Sequence, residues 1–132
     1  MLMKLMLVFV GGGCGAVLRW LMWVMLNSSQ RAESAAAGFP TATLLVNLLG
    51  CFAIGLLAGP LADTAREPMR LLLVVGILGG FTTFSAFGWE TLELVQQRAW
   101  GVAILYCCLS VVGGTLLAAA GALVTSARVV TP

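Results

Sequence analysis

Histidine is missing from this chain, aspartate occurs once, at Asp63, and tyrosine once, at Tyr106. Charged residues make up only 9% of it. Each scarcity closes off a class of protein. Without histidine, the commonest general base and metal ligand is unavailable. The one aspartate lies in a loop and no nucleophile–base spacing occurs, so the chain does not read as an enzyme. At 9% charge, a soluble domain of 132 residues could not cover its surface. A net charge of +2 gives no footprint for nucleic acid. The four cysteines, Cys14, Cys51, Cys107 and Cys108, all fall in apolar runs without CxxC spacing. They read as small hydrophobes, forming neither disulfides nor a metal site.

What the chain has in abundance is apolar length: 61% of it is hydrophobic, with mean hydropathy +1.06. A helix needs about 20 mostly apolar residues to cross a hydrocarbon core of roughly 30 Å. Four such segments are present, at about residues 5–26, 41–62, 69–95 and 99–126, and they nearly exhaust residues 1–132. Only helices and closed barrels satisfy their backbone in lipid, and these runs are too long for barrel strands. The expectation is one all-α, multi-pass membrane domain of four transmembrane helices. Lys4 followed by an apolar run resembles a signal peptide. The run is longer than a signal core, contains Arg19 and lacks a small-residue cleavage site, so it reads as a true span.

Loop charges give only a weak orientation. Lys4, Arg66, Arg70 and Arg128 fall on one side and Arg31 and Arg98 on the other. That bias fits an ordinary protein with its N-terminus inside, and equally a chain that inserts both ways and pairs with its inverted copy.

Each span carries small residues four apart: Gly11 and Gly15, Gly55 and Gly59, Gly76 and Gly80, Gly114 and Ala118. Such pairs let helices approach closely. Four helices fill their own centre with side chains, so a transport role calls for a homodimer or larger. In the second span Thr43, Asn47, Cys51, Gly55 and Gly59 form one stripe. Asn47, its only amide, either bonds a neighbouring helix or donates to a passing anion. Tyr106, Ser110, Gly114 and Ala118 repeat the pattern in the fourth span. Arg19 either snorkels to the headgroups or is a buried cation, paired with backbone carbonyls or drawing an anion to a vestibule. It can also pair with Glu90 if the helix ends meet.

The third span contains Gly79-Gly80-Phe81-Thr82-Thr83-Phe84-Ser85-Ala86-Phe87. Two adjacent glycines each lower helix propensity by roughly 1 kcal/mol. Thr82, Thr83 and Ser85 compete for backbone hydrogen bonds. A helix break is therefore expected here, and freed backbone at membrane depth must face protein or a cavity. Phenylalanine edges are electropositive, so Phe81 and Phe84, flanking Thr82 and Thr83, offer an anion weak, dry contacts or else simply fill the bundle.

This third-span motif, with Gly12-x-x-Gly15-x-x-x-Arg19, Asn47-x-x-Gly50, Glu90 and Tyr106-x-x-x-Ser110, resembles the Fluc (CrcB) family of small fluoride channels over essentially the whole chain. Ala86 departs from it, standing where the family often has threonine or serine. The resemblance implies an antiparallel, dual-topology homodimer in the bacterial inner membrane, with two pores that export fluoride passively. It implies that Phe81 and Phe84 contact fluoride by their edges, that Asn47 donates to it, and that Thr82, Thr83, Ser85, Tyr106 and Ser110 form a polar track. Arg19 would lie in the vestibule. A structural sodium ion would be held at the dimer centre by backbone carbonyls, with Gly76 and Gly79 expected by position.

Two other readings compete. A proton-coupled exporter of organic cations needs a titratable carboxylate in the membrane, which only a deeply buried Glu90 could supply. A non-transporting scaffold would use the polar stripes for packing alone.

Overall fold

A computed structural model of the chain describes residues 1–28 and 38–129. Side chains at 27, 28 and 127–129 fall outside that description, so two of the loop cations weighed above, Arg31 and the Arg128 side chain, lie outside the described residues.

The described residues are helical throughout their ordered elements. Helix α1 is Leu2–Ser28 and α2 is Thr41–Ala58. Helix α3, residues 67–81, starts as Glu67–Arg70, widens into a π-helical stretch at Leu71–Leu78 and ends with Gly79–Phe81. The next two residues are extended: Thr82 has φ −79° and ψ 158°, and Thr83 has φ −151° and ψ 120°. Helix α4 then runs Phe84–Gln96. Helix α5, residues 100–129, has a second π-helical stretch at Leu109–Gly113. Four stretches are long and apolar enough to cross a membrane: Leu2–Leu26, Thr41–Ala58, Thr64–Gln96 and Trp100–Ser126.

Local chemistry sets the ends. Helix α2 stops at Ala58, short of the expected residue 62, because Pro60 has no N–H to continue the ladder. Asp63 then accepts the Ala65 N–H at 3.0 Å and starts a short turn into α3, whose first turn holds Pro68. At the other end of the molecule α4 closes on Arg98, a non-glycine residue with φ 59°. There the Arg98 N–H donates to the Val95 carbonyl at 3.0 Å and the Ala99 N–H to the Leu94 carbonyl at 2.9 Å. This pair of bonds is a Schellman ending.

The helices associate as two parallel pairs. Helix α1 lies along α3, from Lys4 beside Glu67 at 2.7 Å to Gly15 beside Ile77 and Phe81. A Cβ on Gly15 would strike the Ile77 carbonyl oxygen, and one on Gly80 the Gly12 carbonyl oxygen. Helix α2 lies along α5 in the same way, with Gly55 against Ala118 and Gly121 against Phe52. Among the described residues of the single chain, no neighbour lies within 4 Å of the Cβ position of Gly59, which follows the last residue of α2.

The buried core is small: Leu44, Leu94, Ala103 and Tyr106, with Phe39, Leu48 and Phe87 packed around it. Most large apolar side chains face outward. The tryptophans are all at one end. Trp20, Trp23 and Trp89 line one recess, and Trp100 opens α5 just beyond the turn that closes α4. Lys4, Arg66, Glu67 and Arg70 stand at the opposite end.

Candidate functional site

The extended pair Thr82–Thr83 leaves backbone groups without helical partners, and the neighbouring elements take up most of them. The Thr82 N–H and its hydroxyl both donate to the Leu78 carbonyl, at 2.9 Å each. The Thr82 carbonyl accepts a long bond of 3.5 Å from Arg19 Nη1. Thr83 is bonded to Asn47 in both directions, its N–H donating to Oδ1 at 2.8 Å and its carbonyl accepting from Nδ2 at 3.0 Å. The Thr83 hydroxyl accepts the Ala86 N–H at 3.2 Å and so caps α4. It also lies 3.2 Å from the Ser85 hydroxyl.

Two cavities flank this segment, and Thr83 lines both. The first, of about 380 Å³, is walled by Asn47, Cys51, Gly79, Phe84, Phe87 and Ser110 among others. Its wall is mainly apolar, with a few polar groups converging on it. An amide NH₂ has two N–H donors, and Asn47 spends one on Thr83. The Ser110 oxygen is shut off from solvent and has no hydrogen-bond partner among the described residues.

The second cavity, of about 560 Å³, is lined by Arg19, Ser85, Glu90 and the three tryptophans named above. Arg19 and Glu90 share it without forming an ion pair among the described residues. Glu90 is held instead by two hydroxyls, Thr43 at 2.6 Å and Tyr106 at 2.7 Å.

The expected residues therefore divide. Asn47, Thr82, Thr83, Phe84, Ser110 and Gly79 meet at the first cavity, and Arg19 and Ser85 at the second. Tyr106 lines neither: it is fully buried behind them, its ring on Phe87 at 5.2 Å. Phe81 also lines neither: its backbone nitrogen lies by Gly15 and its ring by Gly50. Gly76 is buried against Gly11, and its carbonyl accepts the Gly79 N–H. The ring that sequence reasoning passed over is Phe87. It joins Phe84, centroid to centroid at 5.5 Å, on the cavity wall. The signal was present: Thr83 is a helix-capping residue, and placing the break there puts Phe84 and Phe87 on one helix and Phe81 on another.

Residues 6–122 match the family model described as CrcB-like protein, Camphor Resistance (CrcB). A protein of Novosphingobium aromaticivorans named fluoride-specific ion channel FluC is 47% identical over 112 residues, covering 81% of this chain and 83% of that one. One of Caulobacter vibrioides with the same name is 43% identical over 124 residues, covering 92% and 94%. One of Thermus thermophilus, again so named, is 44% identical over 123 residues, covering 89% and 90%.

Proposed function

The chain belongs to the CrcB-like protein family, and from that premise we propose that it is a fluoride-specific ion channel, a multi-pass membrane protein rather than an enzyme. It lets fluoride leave the cytoplasm of a bacterial cell passively across the inner membrane. Hydrogen fluoride entering from acidic surroundings dissociates inside, and the trapped anion departs down its gradient.

The observation that carries this reading is the first cavity, where Asn47, Ser110 and the Phe84–Phe87 pair meet at a break in the third span. Fluoride is small and strongly hydrated, so a narrow path must replace the water it sheds. The amide and hydroxyl are neutral donors, and the ring edges add weak positive potential. Among the described residues no lysine or arginine lines this cavity, so the ion is held loosely enough to leave. Arg19, in the neighbouring cavity, raises the local anion concentration at the approach. Glu90 is engaged by Thr43 and Tyr106, which suits a fixed element of the wall better than the freely titrating carboxylate of a proton-coupled exporter.

The functional unit is an antiparallel, dual-topology homodimer. Phe84 is 83% exposed in the single chain, so the ring asked to meet the ion needs a partner to complete its wall. The one-ended tryptophans support the inverted arrangement. Aromatic belts occupy both membrane interfaces, and only a pair with opposite orientations supplies both.

A sodium ion at the dimer centre fits this chain in part. The Thr83 N–H turns to Asn47, so the Gly79 carbonyl has lost its helical partner, and Gly79 lines the cavity. Gly76 fits poorly, being buried against Gly11 with its carbonyl engaged. When bound, the cation would gather freed carbonyls and offset their negative ends.

The test is efflux from liposomes containing the purified protein. Fluoride release without chloride release is the expected result. Chloride release at a comparable rate, or no release of either ion, would overturn the reading.

A further inference from the structure

Four aromatic rings form a continuous chain from the start of α2 to the first cavity. Phe39 meets Tyr106 edge to face, with centroids 5.8 Å apart at 80°. Tyr106 meets Phe87 at 5.2 Å, and Phe87 meets Phe84 at 5.5 Å. The Phe39 backbone is tied to the start of α2: its carbonyl accepts both the Thr41 N–H at 2.7 Å and the Thr41 hydroxyl at 3.0 Å. Phe39 also packs on the buried cluster of Leu44, Leu94 and Ala103. Tyr106, with no exposed surface, can reorient only if a neighbour yields. Its hydroxyl is one of two that hold Glu90, and the other, Thr43, belongs to the same first turn of α2.

We propose that Phe39 is a positioning residue for fluoride permeation: packed edge to face on Tyr106, it holds the phenol in the orientation that donates to Glu90 and so keeps Phe87 and Phe84 at the cavity. Phe39 lines neither cavity and never touches the ion. Its influence travels through one buried ring to the carboxylate and through a second to the cavity wall. The proposal rests on the fluoride-channel reading, but it can fail while that reading stands.

The experiment compares wild type, Phe39→Leu, Phe39→Tyr and Tyr106→Phe, each purified as a dimer and reconstituted in liposomes. Wild type must release fluoride; if it does not, the channel reading is what fails. Phe39→Leu keeps apolar bulk and loses the ring. It is expected to slow fluoride roughly three- to ten-fold, the rate that an aromatic pair's worth converts to. Phe39→Tyr, read by flux alone, restores the wild-type rate. Tyr106 is the chain's single tyrosine, so the tyrosine ring-mode doublet in ultraviolet resonance Raman spectra reports its hydroxyl without interference. Phe39→Leu should weaken the donor signature that wild type displays. In a Tyr106→Phe background the same substitution should cost little more, since both act through one hydroxyl. Unchanged flux in Phe39→Leu, an unchanged Raman signature beside slowed flux, or multiplying effects in the double variant would each overturn the proposal. Should Phe39→Leu not assemble, Phe39→Met serves the same comparison.

Discussion

Asn47 and Thr83 hold each other through both faces of an amide, the Thr83 N–H donating to Oδ1 at 2.8 Å and Nδ2 donating to the Thr83 carbonyl at 3.0 Å. The side chain does for an extended residue what a neighbouring strand would do for it. A backbone left unpaired at this depth would cost several kcal/mol in lipid, so a single amide makes a break at this point tolerable. It does so with one N–H to spare.

Asn47→Ala removes both bonds and strands two backbone groups. It should lower stability by about 2–6 kcal/mol, judged from roughly 1–3 kcal/mol for each polar group left unsatisfied. The midpoint of thermal unfolding in detergent measures this. Asn47→Asp keeps the acceptor for the Thr83 N–H but places negative charge beside the anion's path. Fluoride flux should fall further in Asn47→Asp than in Asn47→Ala, although Asn47→Asp retains one more hydrogen bond.

The three phenylalanines of the motif are expected to separate kinetically. Phe84→Ile and Phe87→Ile should each slow fluoride about ten-fold or more, equivalent to at least 1.4 kcal/mol in the barrier. Phe81→Ile, altered at a ring that lines neither cavity, should slow it less while costing packing energy against Gly50. Equal slowing in all three would show that the rings act through the fold and not at the cavity.

Ser110→Ala should move stability and flux in opposite directions. Its oxygen is buried without a partner, and an unsatisfied buried hydroxyl costs about 1–3 kcal/mol. Replacing it with a methyl group removes that penalty, so the variant should unfold at a higher temperature. The same change deletes a donor that fluoride needs, and flux should drop. A variant both less stable and equally active would contradict the assignment.

Arg98→Gly should stabilise the protein and leave conduction unchanged. A side chain in the left-handed region costs roughly 1 kcal/mol that glycine does not incur, and Arg98, at φ 59°, lines neither cavity. An increase in unfolding temperature with an unaltered fluoride rate is the expected pair of results.

Topology has its own test. A cysteine introduced at Thr64 and another at Gln97, read with a membrane-impermeant thiol reagent on intact vesicles, should each label from both sides. Labelling from one side only would reject inverted insertion.

The reach of the sequence is uneven for physical reasons. The four spans are legible because hydropathy is a property of composition, and α2 ends early only because Pro60 acts locally. The motif marks the disturbed region, but in an unbroken helix Phe81, Phe84 and Phe87 are equivalent by spacing. Only the cap at Thr83 assigns them to different helices. Asn47 and Ser110 stand out as polar residues in apolar runs. That one is clamped to a backbone 36 positions away and the other has no partner depends on how the helices meet. Tyr106, expected along a polar track, lines neither cavity, and its hydroxyl donates to Glu90. The π-helical stretches at Leu71–Leu78 and Leu109–Gly113 leave no mark in residue type at all.

Trp20, Trp23, Trp89 and Trp100 share one end of the molecule, which makes a single copy lopsided to the two leaflets. In the inverted pair proposed above that imbalance would cancel, and the assembly would present the same face to the cytoplasm as to the exterior. Such a conduit would have no intrinsic front or back. Its current–voltage curve in symmetric solutions would be odd about zero, and the direction of fluoride movement would be left to the gradient.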